Sequence, residues 1–218
     1  MSQRMDLKGI ERKAWRSTFQ DGLWDIYLGM ILFTMGISAL LDTISVGKVI
    51  LYTIYCGFLI LSMLGMWAGK RFITLPRMGM VKFGPERKVR LNLVRSILFG
   101  SVVFGVIVWI VTSLVSGGWA AGLPWKMLFP AIYALNMLVV FGLGAYIFQF
   151  GRLYLIAVLF ALPVPADYFV LQMWGVKLGY IAFIVPAAMI IGMGIFVLVH
   201  FMRENPVLEI PDDLSRAD

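Results

Sequence analysis

The chain has 218 residues, 61% hydrophobic and only 14% charged, with a mean hydropathy of +0.88. A soluble domain is about half apolar and a quarter charged, so there is too little polar surface here to coat a water-soluble globule. The length leaves room for about six spans of roughly 20 residues and for no large extramembrane domain. The net charge of +7 does not point to nucleic acid, because the basic residues form short blocks beside apolar runs, where topology and anionic lipid account for them.

The expected fold is all-α: a polytopic membrane protein of six transmembrane helices, preceded by a short interfacial helix. Residues 5–20 carry Ile10, Ala14 and Phe19 on one broad face and Arg12, Lys13 and Arg16 toward the headgroups, the pattern of a helix lying on the membrane. This polar start is unlike a signal peptide, and the first apolar run is expected to remain a span. Spans are expected at about 23–41, 49–67, 93–116, 126–149, 153–173 and 178–201. The loop 68–92 separates the second and third. Within it Pro76-Arg77-Met78-Gly79 has the composition of a tight turn between "RFITL" and "MVKF", which reads as a small β-hairpin. Gly84-Pro85-Glu86 reads as a helix start. The tail 203–218 is polar.

Charge sets the orientation. Sixteen of the nineteen Lys and Arg fall in residues 1–20, 68–95, the turn at 150–152 and the tail; the opposite connections hold Lys48, Lys126 and Lys177. The bias puts both termini and the long loop in the cytoplasm of a plasma-membrane protein.

Two groups of polar residues stand out within the apolar framework. The first opens span 1, in "FQDGLWD". Gly22, Gly29 and Gly36 recur every seventh residue, so they form one seam that drifts only about 20° per step. Such a seam serves packing within the chain or a homo-oligomer contact. Asp21 and Asp25 lie beside the seam, facing the protein, while Trp24 faces the other way as a lipid-interface anchor. A carboxylate at this depth needs a cationic partner. Arg95, entering span 3, and Arg152, in the short turn before span 5, are the candidates, for an ion-pair lock or a cytosolic gate.

The second group lies deeper. Pro163 and Pro165 each remove a backbone donor, leaving the carbonyls of Leu159 and Ala161 without their usual partners. Asp167 follows, and the tight hairpin between spans 4 and 5 brings Asn136 to nearly the same depth. Thr112 and Ser113 reach a similar level on span 3. A broken helix with one acid and an amide is a way to build an ion or solute site. The alternative is a kink with Asp167 held by Asn136.

Other residues carry less. Cys56 excludes an intramolecular disulfide and reads as a small buried apolar group. His200 reads as a surface or capping group at a helix end. A single histidine excludes multi-histidine centres, and the chain has neither a P-loop nor a nucleophile elbow. "DGLWD" lacks the longer aspartate series of membrane phospholipid synthases. No cofactor, metal or enzyme chemistry is expected. In size, span number and orientation the outline resembles the six-helix substrate-capturing subunits of energy-coupling factor transporters, without their alanine-spaced motif in the first span. Two functions are open. One is transport or conduction of a small solute or ion around Asp167. The other is a non-transporting scaffold or accessory protein whose basic loop, with Arg77, Lys82, Arg87 and Lys88, binds anionic headgroups or a cytosolic partner.

Overall fold

The computed structural model describes residues 21–78, 85–115, 125–175 and 179–206, and all regular structure among them is helical. Helix α1 spans Leu23–Thr43, α2 Lys48–Gly69, α3 Pro85–Val115, α4 Trp125–Phe148, α5 Arg152–Ala161, α6 Pro163–Trp174 and α7 Gly179–Glu204. The stretches Leu23–Thr43, Lys48–Arg77, Leu128–Phe148, Arg152–Trp174 and Gly179–Glu204 are each long and apolar enough to cross a membrane. By length and composition the protein is therefore a multi-pass membrane protein. The apolar part of α3, Asn92–Val108, is shorter. The expected interfacial helix at 5–20, the "MVKF" segment and most of the polar tail lie outside the described residues.

The centre of the fold is the antiparallel pair α1 and α7. The glycines of α1 are the reason it is so close. A Cβ on Gly29 would stand 2.6 Å from Ile191 Cγ1 and 3.2 Å from the Ala187 carbonyl; one on Gly36 would stand 2.7 Å from Ile184 Cγ1. At Gly22 a Cβ would come within 2.8 Å of the Leu198 backbone nitrogen. Ile184 and Ile191 are themselves seven residues apart, and each fills one glycine notch, while at Gly22 the backbone of α7 itself and Val197 Cβ, 3.2 Å away, take the space. The fit is reciprocal, since Ile26 Cγ1 lies 2.7 Å from a Cβ placed on Gly194. In lipid, dispersion across such a close approach drives helix association. The seam is thus occupied within the chain, the first of the two roles that its spacing allows.

Around this pair, α4 and α5 form a tight hairpin through Gln149 and Gly151, with α2 packed on α1 and α3 on α4. Leu32, Ile156, Ala187 and Ile190 are almost fully buried at the centre. Helices α2 and α3 present Ile60, Met63, Phe99 and Val102 outward, as helices facing acyl chains do. Cys56 is exposed on α2, not buried as its apolar surroundings in the sequence imply.

The hairpin expected after span 2 does not form on its first arm. Helix α2 instead continues through a π turn, Lys70–Thr74, and a last α turn, Leu75–Met78. Pro76 explains the wider turn: it has no N–H for the carbonyl four residues back, and its ring crowds that carbonyl. The Leu75 N–H accordingly reaches back five residues to the Lys70 carbonyl. Such π turns cluster at functional sites. The break between α5 and α6 is milder than a true interruption. Leu162 keeps right-handed helical angles, and bonds from Leu162 N–H to the Val158 carbonyl, 3.1 Å, and from Ala166 N–H to the Leu162 carbonyl, 3.0 Å, carry the helix across. Pro163 and Pro165 leave a kink.

Candidate functional site

At one end of the bundle the starts of α1 and α5 meet the ends of α2 and α7. The chain turns into α1 through Gly22, at φ +77°, a left-handed conformation that glycine adopts without steric penalty. This turn aims both aspartates inward, and each is completely buried. Asp21 accepts from three donors. The Leu23 N–H reaches Oδ1 at 3.2 Å, the Thr74 hydroxyl reaches Oδ2 at 2.8 Å, and the Lys70 ammonium pairs with Oδ2. The carboxylate also sits at the positive end of α1. Lys70 and Thr74 are the two ends of the π turn, so that turn is what brings both to one carboxylate.

Asp25 pairs with Arg152, whose Nη1 lies 2.9 Å from Oδ2. The approach is off the line of a hydrogen bond, so neither Asp25 oxygen is hydrogen-bonded among the described residues. Charge attraction, not an aligned bond, holds this pair. A buried ion pair of this kind costs desolvation, and removal of one partner strands the other. Two acids and two bases therefore lock α1 to the end of α2 and the start of α5. Of the two arginines expected beside the acids, Arg152 is there; Arg95 is exposed on α3. Lys70 and Thr74 carry no sign of this role in the sequence, where the residues around them read as a strand entering a turn.

The other cations described at this end differ in exposure. Arg71 is exposed and lies over the Trp67 ring, 5.2 Å from its centroid. Arg77 is half-buried and donates to the Ile73 carbonyl at 3.1 Å. Arg203 is exposed near the end of α7, and the exposed His200 pairs with Glu204 at 3.1 Å. Lys82 lies outside the described residues, as do the side chains of Arg87 and Lys88 on α3.

Immediately inside the lock lies an apolar cavity of about 130 Å³ between α1, α3, α4 and α5. Trp24, Ile97, Phe141, Gly144, Phe150 and Leu153 are on its wall. Trp24 is thus half-buried against other helices and does not simply anchor outward. The Arg152 guanidinium lies 5.1 Å from the centroid of Phe150, so the lock's cation sits over one wall of the cavity.

The deeper group is distributed differently from the expected site. The Asn136 amide donates to the Ser101 hydroxyl at 3.1 Å, bridging α4 and α3. Asp167 lies against the start of α7: a Cβ on Gly179 would stand 2.8 Å from its Oδ1. Gly179 leaves room for the carboxylate at the positive end of α7. Asn136 and Asp167 each have local surroundings of their own, and no hydrogen bond joins them. Thr112 and Ser113 lie on α3 with side chains outside the described set. No group of three or more His, Cys, Asp or Glu among the described residues could hold a metal.

Comparison with protein-family models, with curated proteins and with solved structures gives no match.

Proposed function

We propose that the protein is a six-span plasma-membrane protein with both termini in the cytoplasm, acting as a non-transporting scaffold or accessory protein. Its working face is the basic cytosolic end, which gathers anionic lipid headgroups. One observation carries this reading: Lys70 and Arg152 are consumed by buried aspartates, while Arg71, Arg95 and Arg203 remain exposed at the same end. Each basic residue near an anionic membrane surface contributes about 1 kcal/mol. The long side chains reach out of the apolar layer while their stems stay in it. Lys82, Arg87 and Lys88 are candidates for the same surface. The rigid lock beneath supports a fixed platform, in keeping with a scaffold.

The test is the lipid that stays with the purified protein. Extraction from a membrane of mixed phosphatidylglycerol and phosphatidylcholine should retain phosphatidylglycerol in excess. Neutralising Arg71, Arg77, Arg95 and Arg203, or Arg77, Lys82, Arg87 and Lys88, should remove the excess. An undiminished excess in both variants refutes the reading.

Transport or conduction of a small solute or ion is the second reading, favoured by the proline kink at α5–α6 beside Asp167. It requires Asp167→Asn to change a ligand- or ion-dependent thermal shift while the fold persists. The same melting behaviour in both proteins across a ligand and ion panel counts against it.

A further inference from the structure

Among the described side chains, the end of the bundle that holds the two buried aspartates exposes Arg71, Arg95 and Arg203. The one exposed acid among them there, Glu204, pairs with His200 at 3.1 Å. Asp21 and Asp25 are buried and matched by Lys70 and Arg152. The described face therefore carries an excess of positive charge.

A complementary charge follows α7 in the same chain. Residues 207–218 hold Glu209, Asp212, Asp213 and Asp218, four of the chain's twelve acidic residues, against the single base Arg216. The point from which they start is fixed beside the arginines. Pro206 has no N–H with which to extend α7. The helix closes on the buried Phe201, whose carbonyl accepts from the Asn205 N–H and from its side-chain amide, both at 3.0 Å. Twelve extended residues reach up to about 40 Å, against about 10 Å for the width of one helix, so arginines on neighbouring helices are within range. A segment tethered this closely meets them at a high effective concentration. The negative surface potential that draws arginines toward a bilayer keeps acidic residues away from it, so the arginines are the contact open to the segment. Val207, Leu208, Ile210 and Leu214 are interleaved with the acids and gain by leaving water for the apolar flanks of the same rim.

We infer that the acidic segment 207–218 docks on the exposed arginines at its own end of the bundle and competes there with anionic lipid headgroups, an autoinhibitory contact. The competition rests on the headgroup-binding reading; the docking rests only on the arginines and the acids.

Proteolysis after Glu209 reads the docking without any lipid. The full chain in an uncharged detergent is treated with a glutamate-specific protease, beside a free peptide of residues 205–218 that reports the enzyme's own rate at each salt concentration. At low salt the chain should be cut about fivefold more slowly than the peptide, as roughly three exposed ion pairs together provide. At about 1 M salt, where screening acts within about 3 Å, the two rates should converge. Combined Arg71→Gln, Arg95→Gln and Arg203→Gln should remove the protection at low salt, with the cleaved sequence unchanged. Cutting of the wild type at the peptide's rate at low salt overturns the inference, as does protection that 1 M salt leaves intact. The competition is read in bilayers of phosphatidylglycerol and phosphatidylcholine. Glu209→Gln with Asp212→Asn and Asp213→Asn should retain more phosphatidylglycerol than the wild type; equal retention overturns the autoinhibition. Failure of the headgroup reading looks different: neither chain prefers phosphatidylglycerol, while the salt-sensitive protection after Glu209 persists and upholds the docking.

Discussion

Replacement of Gly29 by alanine tests the close pairing of α1 and α7. The added Cβ would lie 2.6 Å from Ile191 Cγ1, 3.1 Å from the Ile191 nitrogen and 3.2 Å from the Ala187 carbonyl. Comfortable carbon contacts begin near 3.5 Å, so relief requires a shift of about 0.9 Å. Ile191 cannot give that much by turning one end of its side chain, because two of the three atoms it meets are backbone. The helices must part, and the notches at Gly22 and Gly36 then lose contact as well. Overpacking of this kind costs about 1–3 kcal/mol. At about 2–4 °C per kcal/mol for a chain of this size, melting should fall by roughly 2–12 °C. Gly57→Ala is the control, since nothing lies within 4 Å of a Cβ there and alanine favours a helix more than glycine does. Thermal unfolding of both variants in the same micelles reads the difference directly. Equal melting of Gly29→Ala and Gly57→Ala would show that α1 and α7 do not meet through the glycine seam.

Three further outcomes follow from the buried polar contacts. Arg152→Ala strands a fully buried carboxylate, for a loss of about 3–5 kcal/mol. Asp25→Ala should cost less, because the partly exposed Arg152 can turn toward headgroups; chemical denaturation showing the reverse order contradicts the burial described here. Ser101→Ala removes the hydroxyl bonded to Asn136. Interhelical hydrogen bonds in lipid average about 0.6 kcal/mol and reach about 1.7, so a loss above that range would show that Asn136 does more than join α3 to α4. Gly179→Ala forces the Asp167 carboxylate aside, and its cost should largely vanish in an Asp167→Ala background. Additive costs in that double-mutant cycle would mean the two positions do not touch.

How far the sequence foretells this structure depends on what each feature needs. The glycine repeat of α1 is legible because a seven-residue period defines a seam whatever packs on it; the identity of the partner is not, since Ile184 and Ile191 look like ordinary apolar residues. Arg152 is findable beside Asp25 because the short turn at 150–152 leaves it little freedom in depth. Lys70 is not, because the π turn that aims it at Asp21 arises from Pro76, and in sequence that proline marks a turn equally well. The separation of Asn136 from Asp167 shows a similar limit. Counting residues from Gly151 gives their depth but not the rotation of α4, which turns the amide to Ser101. The cavity behind Trp24 has no sequence signature, since it depends on how four apolar helices fail to fill one space.

The central claim, that the basic end gathers anionic lipid, is met most directly by spin-labelled phospholipids in bilayers containing the wild-type protein. The motionally restricted fraction should be larger for phosphatidylglycerol than for phosphatidylcholine at low salt. Raising salt from about 0.01 M to 1 M shortens the screening length from about 30 Å to about 3 Å, and most of the excess should disappear. Equal restriction of the two lipids at low salt would contradict the claim.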